Sequence, residues 1–499
     1  MPEIKDSSTN LSNVTQAHEV PSDQEFYLIG IGGAGMSVLA LLLHDLGYHV
    51  SGSDQVQADT LGQLREAGIT VFVGHREEQV PANAIVVVTS AVHEDNPEAA
   101  RAQALGLEIW HRSQALDFCT RSHDLVAVAG AHGKTSTSSM IAHALLKIEA
   151  DPSFAIGGVI AELGTGARLG SGSAFVIEAD ESDGSFLNYS PAVEVITNIE
   201  PDHLDHWGSA AAFEQAFVDF TGRLREGGAL VLCADDAGVK RLAAQVSARR
   251  GDGGPRVISY GFGVPLAGDV VVQLSEPELG PGQGHCQVSV TDAGQQVFHG
   301  QLKLRIGGQH MLLNAGGALG AAYALGVDLP QFIAALGTFS GASRRMQPVG
   351  ERDGVRIYDD YGHHPTEIAA TLQAARDLAG TGRLLVCFQP HLYSRTYHNV
   401  EAFARVFAAV DDLTVCSVYA AREAPIPGVN GNIITERLGQ GTYVADMYAA
   451  GLRAFHAARP GDLLLFLGAG SITHVGHAIA AGHEYASVEQ AAQAKESQA

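Results

Sequence analysis

The chain is poor in positive charge, poor in cysteine and free of long apolar runs. Its 499 residues carry 31 Lys and Arg against 55 Asp and Glu, a formal net charge of −24. That balance argues against nonspecific binding to nucleic acid or to anionic membrane and favours simple solubility. Five dispersed cysteines (Cys119, Cys233, Cys286, Cys387, Cys416) form no Cys-x-x-Cys pair, which fits a reducing compartment better than a disulfide framework. No apolar run approaches the ~18 residues of a membrane span. The polar stretch Met1 to Gln24 lacks the basic start and apolar core of a signal peptide. Together these absences point to a cytoplasmic protein with no membrane span and no nucleic-acid partner.

What is present is a folded composition, 46% hydrophobic and 17% charged, in a chain too long for one ordinary core. Its most informative stretch is Gly130-Ala131-His132-Gly133-Lys134-Thr135. The apolar run Leu125 to Ala129 precedes it as a buried strand, and Ser136 to Lys147 follows as a helix. Strand, glycine turn, Lys-Thr and helix form a nucleotide triphosphate site: backbone N–H groups face the phosphates, the lysine adds a point charge, and the hydroxyl reaches Mg²⁺. The loop is a shortened variant of G-x-x-x-x-G-K-[ST], because Val128 stands where the first glycine belongs.

A second glycine turn, Gly30-Ile31-Gly32-Gly33-Ala34-Gly35, matches G-x-G-x-x-G, and Asp54 follows the next strand. That is a pyrophosphate cradle with a carboxylate for a ribose or base. Taken alone it fits a nicotinamide or flavin dinucleotide, a UDP-sugar, or a tight turn without ligand. An oxidoreductase is therefore one reading of this loop.

Polar residues crowd the carboxyl ends of several strands, where open α/β sheets keep their sites. Glu178-Ala179-Asp180-Glu181-Ser182-Asp183 follows the strand Ala174–Ile177. Beside a phosphate loop, such a cluster suits Mg²⁺ held by oxygen ligands. Asn198-Ile199-Glu200-Pro201-Asp202-His203 follows the strand from Val193, and His203 reads either as a metal ligand or as a helix cap. Further on lie Asp359-Asp360-Tyr361-Gly362-His363-His364-Pro365 and Phe388-Gln389-Pro390-His391-Leu392-Tyr393-Ser394-Arg395, two histidine-bearing loops after strands of one block. Ser343-Arg344-Arg345 marks a joint where a cation can reach a phosphate.

The alternation of apolar runs and helical patterns predicts α/β architecture in three domains: an N-terminal Rossmann-like domain, a central P-loop ATPase-like domain with a β insertion, and a C-terminal Rossmann-like domain. The expected divisions are a flexible tail at 1–22, domains at 23–120, 121–344 and 345–488, and a polar tail at 489–499. Residues 251–306, rich in Gly, Val and Gln with period-two alternation, read as an antiparallel insertion or edge. Residues 315–325 read as a helix of small residues.

In this order the six motifs resemble those of the Mur ligases, ATP-dependent amide-forming enzymes of peptidoglycan synthesis. The resemblance covers about 23 to 488 and is nearest to the branch that adds L-alanine to the carboxylate of UDP-N-acetylmuramate. It implies ATP and Mg²⁺ (or Mn²⁺) as cofactors, with UDP-N-acetylmuramate, L-alanine and ATP as small-molecule partners. A monomer or a homodimer is compatible with it.

The resemblance also implies roles. Gly32, Gly33, Ala34, Gly35, Met36 and Ser37 hold the UDP-sugar pyrophosphate, and Asp54 lies near the uridine. Gly130, Ala131, His132, Gly133, Lys134, Thr135 and Ser136 hold ATP phosphates, and His310 and Asn314 match the adenine-binding segment. Thr135, Glu178 and His203 match metal positions. Arg344, Asp360, Tyr361, His363, His391 and Arg395 match positions facing ATP and the incoming amino acid, Arg344 on the ATP and Tyr361, His363, His391 and Arg395 on the amino acid. Lys134, His203, Arg344, Asp360 and His363 form the implied catalytic set.

Met311, Leu392 and Ser471 depart from the family's usual residues. No lysine lies between Lys147 and Lys240, so the carbamoylated lysine of many Mur ligases has no counterpart here, as in the alanine-adding branch. A recycling ligase that adds a tripeptide to the same UDP-sugar is the rival within the family; its loop typically reads Asp-Phe-Ala-His-His-Pro. The oxidoreductase reading leaves Lys134 and the acidic cluster unexplained, and a catalytically dead binding protein would be expected to lack part of the phosphate or metal set.

Overall fold

In a computed structural model, residues 20–496 are described apart from 58, 90, 94, 250–253 and 422. Most of the tail expected at 1–22 therefore lies outside the described residues. The fold divides into two compact units, residues 1–115 and 116–499.

The first unit alternates β1 (Glu25–Ile29), α1 (Ala34–Asp45), β2 (His49–Asp54), α2 (Asp59–Glu66), β3 (Thr70–Val73), β4 (Ala84–Val88), α3 (Pro97–Leu105) and β5 (Ile109–His111), with α4 (Arg112–Thr120) running on from it. Its sheet has the order β3-β2-β1-β4-β5, parallel throughout. β1 sits in the middle and is followed by the first glycine turn, so that turn lies at the point where the strand order reverses. Tyr27, Ile29, Val86 and Ala102 pack in one core on this sheet.

The second unit holds two sheets. The central one is built from β6 (Asp124–Ala129), α5 (Lys134–Lys147), β7 (Ser153–Ile160), β8 (Thr165–Arg168), β9 (Ala174–Glu178), β10 (Val193–Ile196), α6 (Leu204–Trp207), α7 (Ala210–Thr221), β11 (Ala229–Cys233), α8 (Ala237–Arg249), β12 (Arg256–Gly261), β13 (Val270–Gly280), β14 (Gln283–Asp292), β15 (Gln295–Leu304), α9 (Gln309–Ala324) and α10 (Leu329–Leu336). Ten strands run β15-β14-β13-β12-β11-β10-β6-β9-β7-β8. β6 lies between β10 and β9, both parallel to it, so the phosphate loop also sits at a switch point.

Leu125 to Ala129 are fully buried, as a central parallel strand requires. The residues after β12 form antiparallel hairpins β13–β14–β15 at the sheet edge, where Val270, Val272, Leu274, Val288 and Val290 alternate inward. Phe186, Phe213, Phe217 and Phe220 make an aromatic cluster with Trp207.

The C-terminal sheet comprises β16 (Gln347–Arg352), β17 (Val355–Asp360), α11 (Pro365–Ala379), β18 (Leu384–Phe388), α12 (Tyr393–His398), α13 (Val400–Phe407), β19 (Asp412–Val415), α14 (Asn432–Leu438), β20 (Thr442–Tyr443), α15 (Met447–Ala457), β21 (Leu463–Leu467), α16 (Thr473–Ala480) and α17 (Val488–Glu496). Its order is β16-β17-β21-β18-β19-β20, parallel except for β16. The carboxyl ends of β17, β21 and β18 are adjacent, which brings their following loops to one edge.

Several details differ from expectation. The helix after the phosphate loop begins at Lys134, not Ser136, and β10 ends at Ile196, so Thr197 and Asn198 belong to the loop. The helix expected over 315–325 begins earlier, at Gln309, and ends at Ala324. The stretch from Glu489, expected as a polar tail, forms α17, because the Ser487 hydroxyl and carbonyl accept from the N–H groups of Gln490 and Ala491 and Ala491 buries against the core around Tyr448. All five cysteines are free and buried. Among the described residues no helix is long and apolar enough to cross a membrane.

Candidate active site

In the first unit the glycine turn is braced from within. The Gly32 N–H donates to Asp54 Oδ2 at 2.9 Å, and Thr60 Oγ1 donates to the Gly32 carbonyl at 2.9 Å. Gly33 is extended and caps α1 without a side chain, which leaves the helix end as a place for an anion. Met36 is buried, and the Met36 and Ser37 N–H groups donate back to the Gly33 carbonyl. A Cβ on Gly35 would lie 2.5 Å from Arg112 Nη1, so the glycine makes room for a guanidinium. Arg112 is a cation beside the turn that no motif announced.

The phosphate loop of the second unit is built differently. Gly130 (φ 136°) lies against Thr197, where a Cβ would fall 2.2 Å from Oγ1. Gly133 (φ 80°) lies under Asn314, where a Cβ would fall 2.6 Å from Oδ1. Thr197 Oγ1 and Asn198 Nδ2 both donate to the His132 carbonyl, at 2.6 and 2.8 Å, and the His132 N–H donates to Asn198 Oδ1 at 2.9 Å. These bonds join Ala131–His132 to the loop after β10 and fix the backbone.

Lys134 Nζ donates to the Gly130 carbonyl at 2.7 Å and pairs with Glu181 at 2.8 Å. Burial opposes the ammonium, but Glu181, Asp180 and Glu178 outweigh it and hold the lysine pKa above its ordinary value. Burial pushes Glu181 up to about 7, against the pull of Lys134. Thr135 Oγ1 donates to Glu178 at 2.9 Å, and the Gly157 N–H donates to the same carboxylate at 3.0 Å. Ser136 is buried in the first turn of α5.

His203 takes a left-handed conformation (φ 51°) at the start of α6, but its side chain caps nothing. Its Nδ1 is buried with no hydrogen-bond partner, and burial lowers its pKa. Of its two readings, the cap is therefore excluded. An unpartnered imidazole nitrogen, a threonine hydroxyl and a carboxylate make a donor set that fits a divalent cation, with the hydroxyl and carboxylate oxygens suited to Mg²⁺.

The C-terminal loops meet this loop directly. Arg395, buried on α12, donates to both oxygens of Asp202, at 3.0 and 3.1 Å, and to His391 Nδ1 at 3.1 Å. Burial would raise Asp202, yet the Arg395 guanidinium beside it holds its carboxyl well below the usual range. His391 stacks on Tyr419 and lies 5.7 Å from the His363 ring.

Burial lowers His363 to about 3, so its imidazole is neutral near pH 7. Arg344 stands over the Tyr361 ring at 4.8 Å, donates to the carbonyls of Gly468 and Gly470, and has Nε 3.3 Å from Asp359. Asp360 is committed to backbone: it accepts from the N–H groups of Met346 and Gly362, both at 2.8 Å, and from Thr371 Oγ1 at 3.1 Å. It therefore shapes the Arg344–His363 turn. Burial, with the charge of Arg345 behind it, lowers His310 to about 4. Met311, one of the departures from the family pattern, meets Asn314 Nδ2 through Sδ at 3.9 Å.

Three family models match in succession: the Mur ligase family catalytic domain over residues 25–123, the Mur ligase middle domain over 128–322, and the Mur ligase glutamate ligase domain over 344–470. A UDP-N-acetylmuramate–L-alanine ligase of Saccharopolyspora erythraea is 44% identical over 92% of this chain and 93% of its own length. This chain belongs to the Mur ligase family. A second relative of the same name, from Kineococcus radiotolerans, is 46% identical over 90% of this chain and 94% of its own. Among solved structures, the UDP-N-acetylmuramate-alanine ligase MurC of Thermotoga maritima matches with a TM-score of 0.73 at 27% identity, covering 91% of this chain and 97% of that one. A murein peptide ligase of Psychrobacter arcticus shares the fold, with a TM-score of 0.67 at 23% identity over 92% and 98% of the two chains.

The three-domain α/β architecture expected from the sequence is that of this ATP-dependent family. In the second unit the structure brings together Lys134, Thr135, Glu178, His203 and Asn314 from the central domain with Arg395 and the 360–364 turn from the C-terminal one. Sequence reading assigned no role to Arg112, Glu181 or Asp202. Glu181 and Asp202 lay inside quoted motifs, but their cationic partners are 47 and 193 positions away.

Proposed function

We propose that this chain forms the amide bond between L-alanine and the carboxylate of UDP-N-acetylmuramate, in the cytoplasm, as a step of peptidoglycan precursor synthesis. The observation that carries the reading is 44% identity over 92% of the chain to a ligase of that name, and the Lys134–Thr135 start of α5, with Glu178 on the Thr135 hydroxyl, supports it. The sugar carboxylate attacks the γ-phosphate of ATP, releasing ADP and leaving an acyl phosphate. The amine of L-alanine then attacks the acyl carbon, and phosphate departs.

No side chain needs to act as a nucleophile. The work is alignment and offsetting charge repulsion between a carboxylate and a polyphosphate. Lys134 supplies a point charge at the phosphates once Glu181 releases it. Thr135, Glu178 and His203 are the residues that would hold Mg²⁺, whose bound charge neutralises phosphate oxygens. Arg344 and Arg395 add fixed cations, while the neutral His363 imidazole and the ring of His391 line the approach of the amine. Asn314 and His310 face the nucleotide, and the Gly32–Ser37 turn with Asp54 takes the UDP moiety.

The test is phosphate release with UDP-N-acetylmuramate, ATP and Mg²⁺, supplying each amino acid and the L-alanyl-γ-D-glutamyl-diaminopimelate tripeptide in turn. L-Alanine should give the highest kcat/KM. Preference for the tripeptide would reassign the chain to recycling, and absence of turnover with every acceptor would reject the ligase reading.

A further inference from the structure

Three ligating side chains converge at the phosphate loop, and two of them, Glu200 and His364, carry no role in the account above. His132 from the loop after β6, Glu200 from the loop after β10 and His364 at the start of α11 place one donor atom each within 4.8 Å of one another. His132 Nε2 lies 3.2 Å from Glu200 Oε2, and Glu200 Oε1 lies 4.0 Å from His364 Nδ1. The two imidazoles stack, with centroids 4.9 Å apart and planes at 28°. His364 is only 7% exposed and its Nδ1 accepts from the Thr366 N–H at 3.5 Å, while Nδ1 of His132 is buried and faces Glu367 Oε1 at 3.5 Å. Thr366 Oγ1 donates to Glu200 Oε1 at 2.8 Å, which orients the carboxylate from outside, as partners of metal ligands do.

Two imidazoles and one carboxylate are a borderline-soft set. It suits Zn²⁺ with a fourth position open, and it is a poor set for Mg²⁺, which takes oxygen ligands. It therefore differs in kind from Thr135 and Glu178. A tetrahedral zinc with bonds of about 2.0–2.1 Å sets its donors roughly 3.4 Å apart, so the 4.8 Å outer limit of the cluster has to contract by about 1.4 Å. Rotation of the partly exposed Glu200 closes its distance to His364, and a turn of the two imidazoles toward each other closes the remaining side.

We propose that His132, Glu200 and His364 form a transition-metal site, separate from the residues that would hold Mg²⁺, and that Zn²⁺ bound there pins the phosphate loop to the C-terminal domain and inhibits turnover. His132 and Glu200 belong to the central domain and His364 to the C-terminal one, so a single ion links the two. Because His132 is part of the loop that carries Lys134, the link restrains the segment that must receive a triphosphate.

The test uses the full chain without nucleotide. Zn²⁺ is titrated by calorimetry, and zinc-edge X-ray absorption counts its imidazole ligands. The proposal expects one tight site with two imidazoles, whereas the Thr135–Glu178–His203 set offers one. His364→Gln and Glu200→Gln, each first shown to be folded by thermal melting, should weaken Zn²⁺ by more than the roughly 10–100-fold that loss of an outer partner costs. Glu178→Gln should leave Zn²⁺ affinity unchanged. No uptake by the unmodified chain, a spectrum with fewer than two imidazoles, or unaltered affinity in both folded variants would overturn it. The absorption measurement on the unmodified chain decides the matter even if a variant does not fold.

Discussion

The two glycine turns occupy equivalent positions, each after the strand at a switch point of its sheet, yet they are furnished in opposite ways. The first has a carboxylate beneath it, Asp54 on the Gly32 N–H, and one guanidinium, Arg112, against Gly35. The second carries its own lysine, a web of carboxylates (Glu178, Asp180, Glu181) around that lysine, and Asn314 over Gly133. A turn with an acid at its floor suits a diphosphate whose sugar hydroxyls need an acceptor. A turn with a lysine and metal-binding oxygens suits a triphosphate whose charge must be offset during transfer. The backbone device is shared, and the side chains around it set the guest.

That contrast can be broken most sharply at Lys134. Lys134→Ala should lower kcat for ADP formation by about 10²–10³-fold, the scale for losing one charge stabiliser, while calorimetry shows UDP-N-acetylmuramate binding unchanged. The next largest effect separates the glycines themselves. Gly130→Ala meets both a left-handed backbone and Thr197 Oγ1 at 2.2 Å, and should cost roughly 3 kcal/mol of stability in denaturant titrations.

A control that touches neither turn comes third. Glu194 on β10 is fully buried, neither oxygen has a hydrogen-bond partner, and burial raises its pKa well above the usual value. An acid raised in the folded state contributes no penalty below its unfolded pKa of about 4.3 and costs stability as pH rises above it. Glu194→Leu should therefore stabilise by about 1–3 kcal/mol. The gain in melting temperature should be larger at pH 8 than at pH 4, with ligand affinities unaltered. The smallest effect is Gly30→Ala, where φ is +78° but nothing lies within 4 Å of the added carbon. It should cost only about 1–2 kcal/mol, and a loss as large as that of Gly130→Ala would erase the distinction between the turns.

Both turns were legible in the sequence because their spacing is local: strand, glycines, helix, within a dozen residues. The acid at 178 and the histidine at 203 were legible for the same reason, each sitting just past an apolar strand. Partnerships across the chain were not. Nothing near Lys134 announces Glu181, and nothing near Asp202 announces Arg395. Strands β7 and β16 escaped notice because Gly157-Gly158 and Pro348-Gly350 interrupt the alternation that marks a strand, and their partners hold them only in the folded sheet. The helix α17 was missed because Ala491, the one buried side chain among its described residues, is too small to raise an apolar pattern. Asp360 enters the implied catalytic set through the resemblance alone, and nothing in the local pattern announces that its oxygens accept from Met346, Gly362 and Thr371.

The central claim is that each turn serves its own ligand. Amide hydrogen exchange of the full chain, with UDP-N-acetylmuramate alone and then with ATP and Mg²⁺ alone, tests it directly. Protection should rise over residues 30–37 with the first ligand and over 130–136 with the second. Protection of 130–136 by the UDP-sugar alone, or none at 130–136 under saturating ATP, would contradict it.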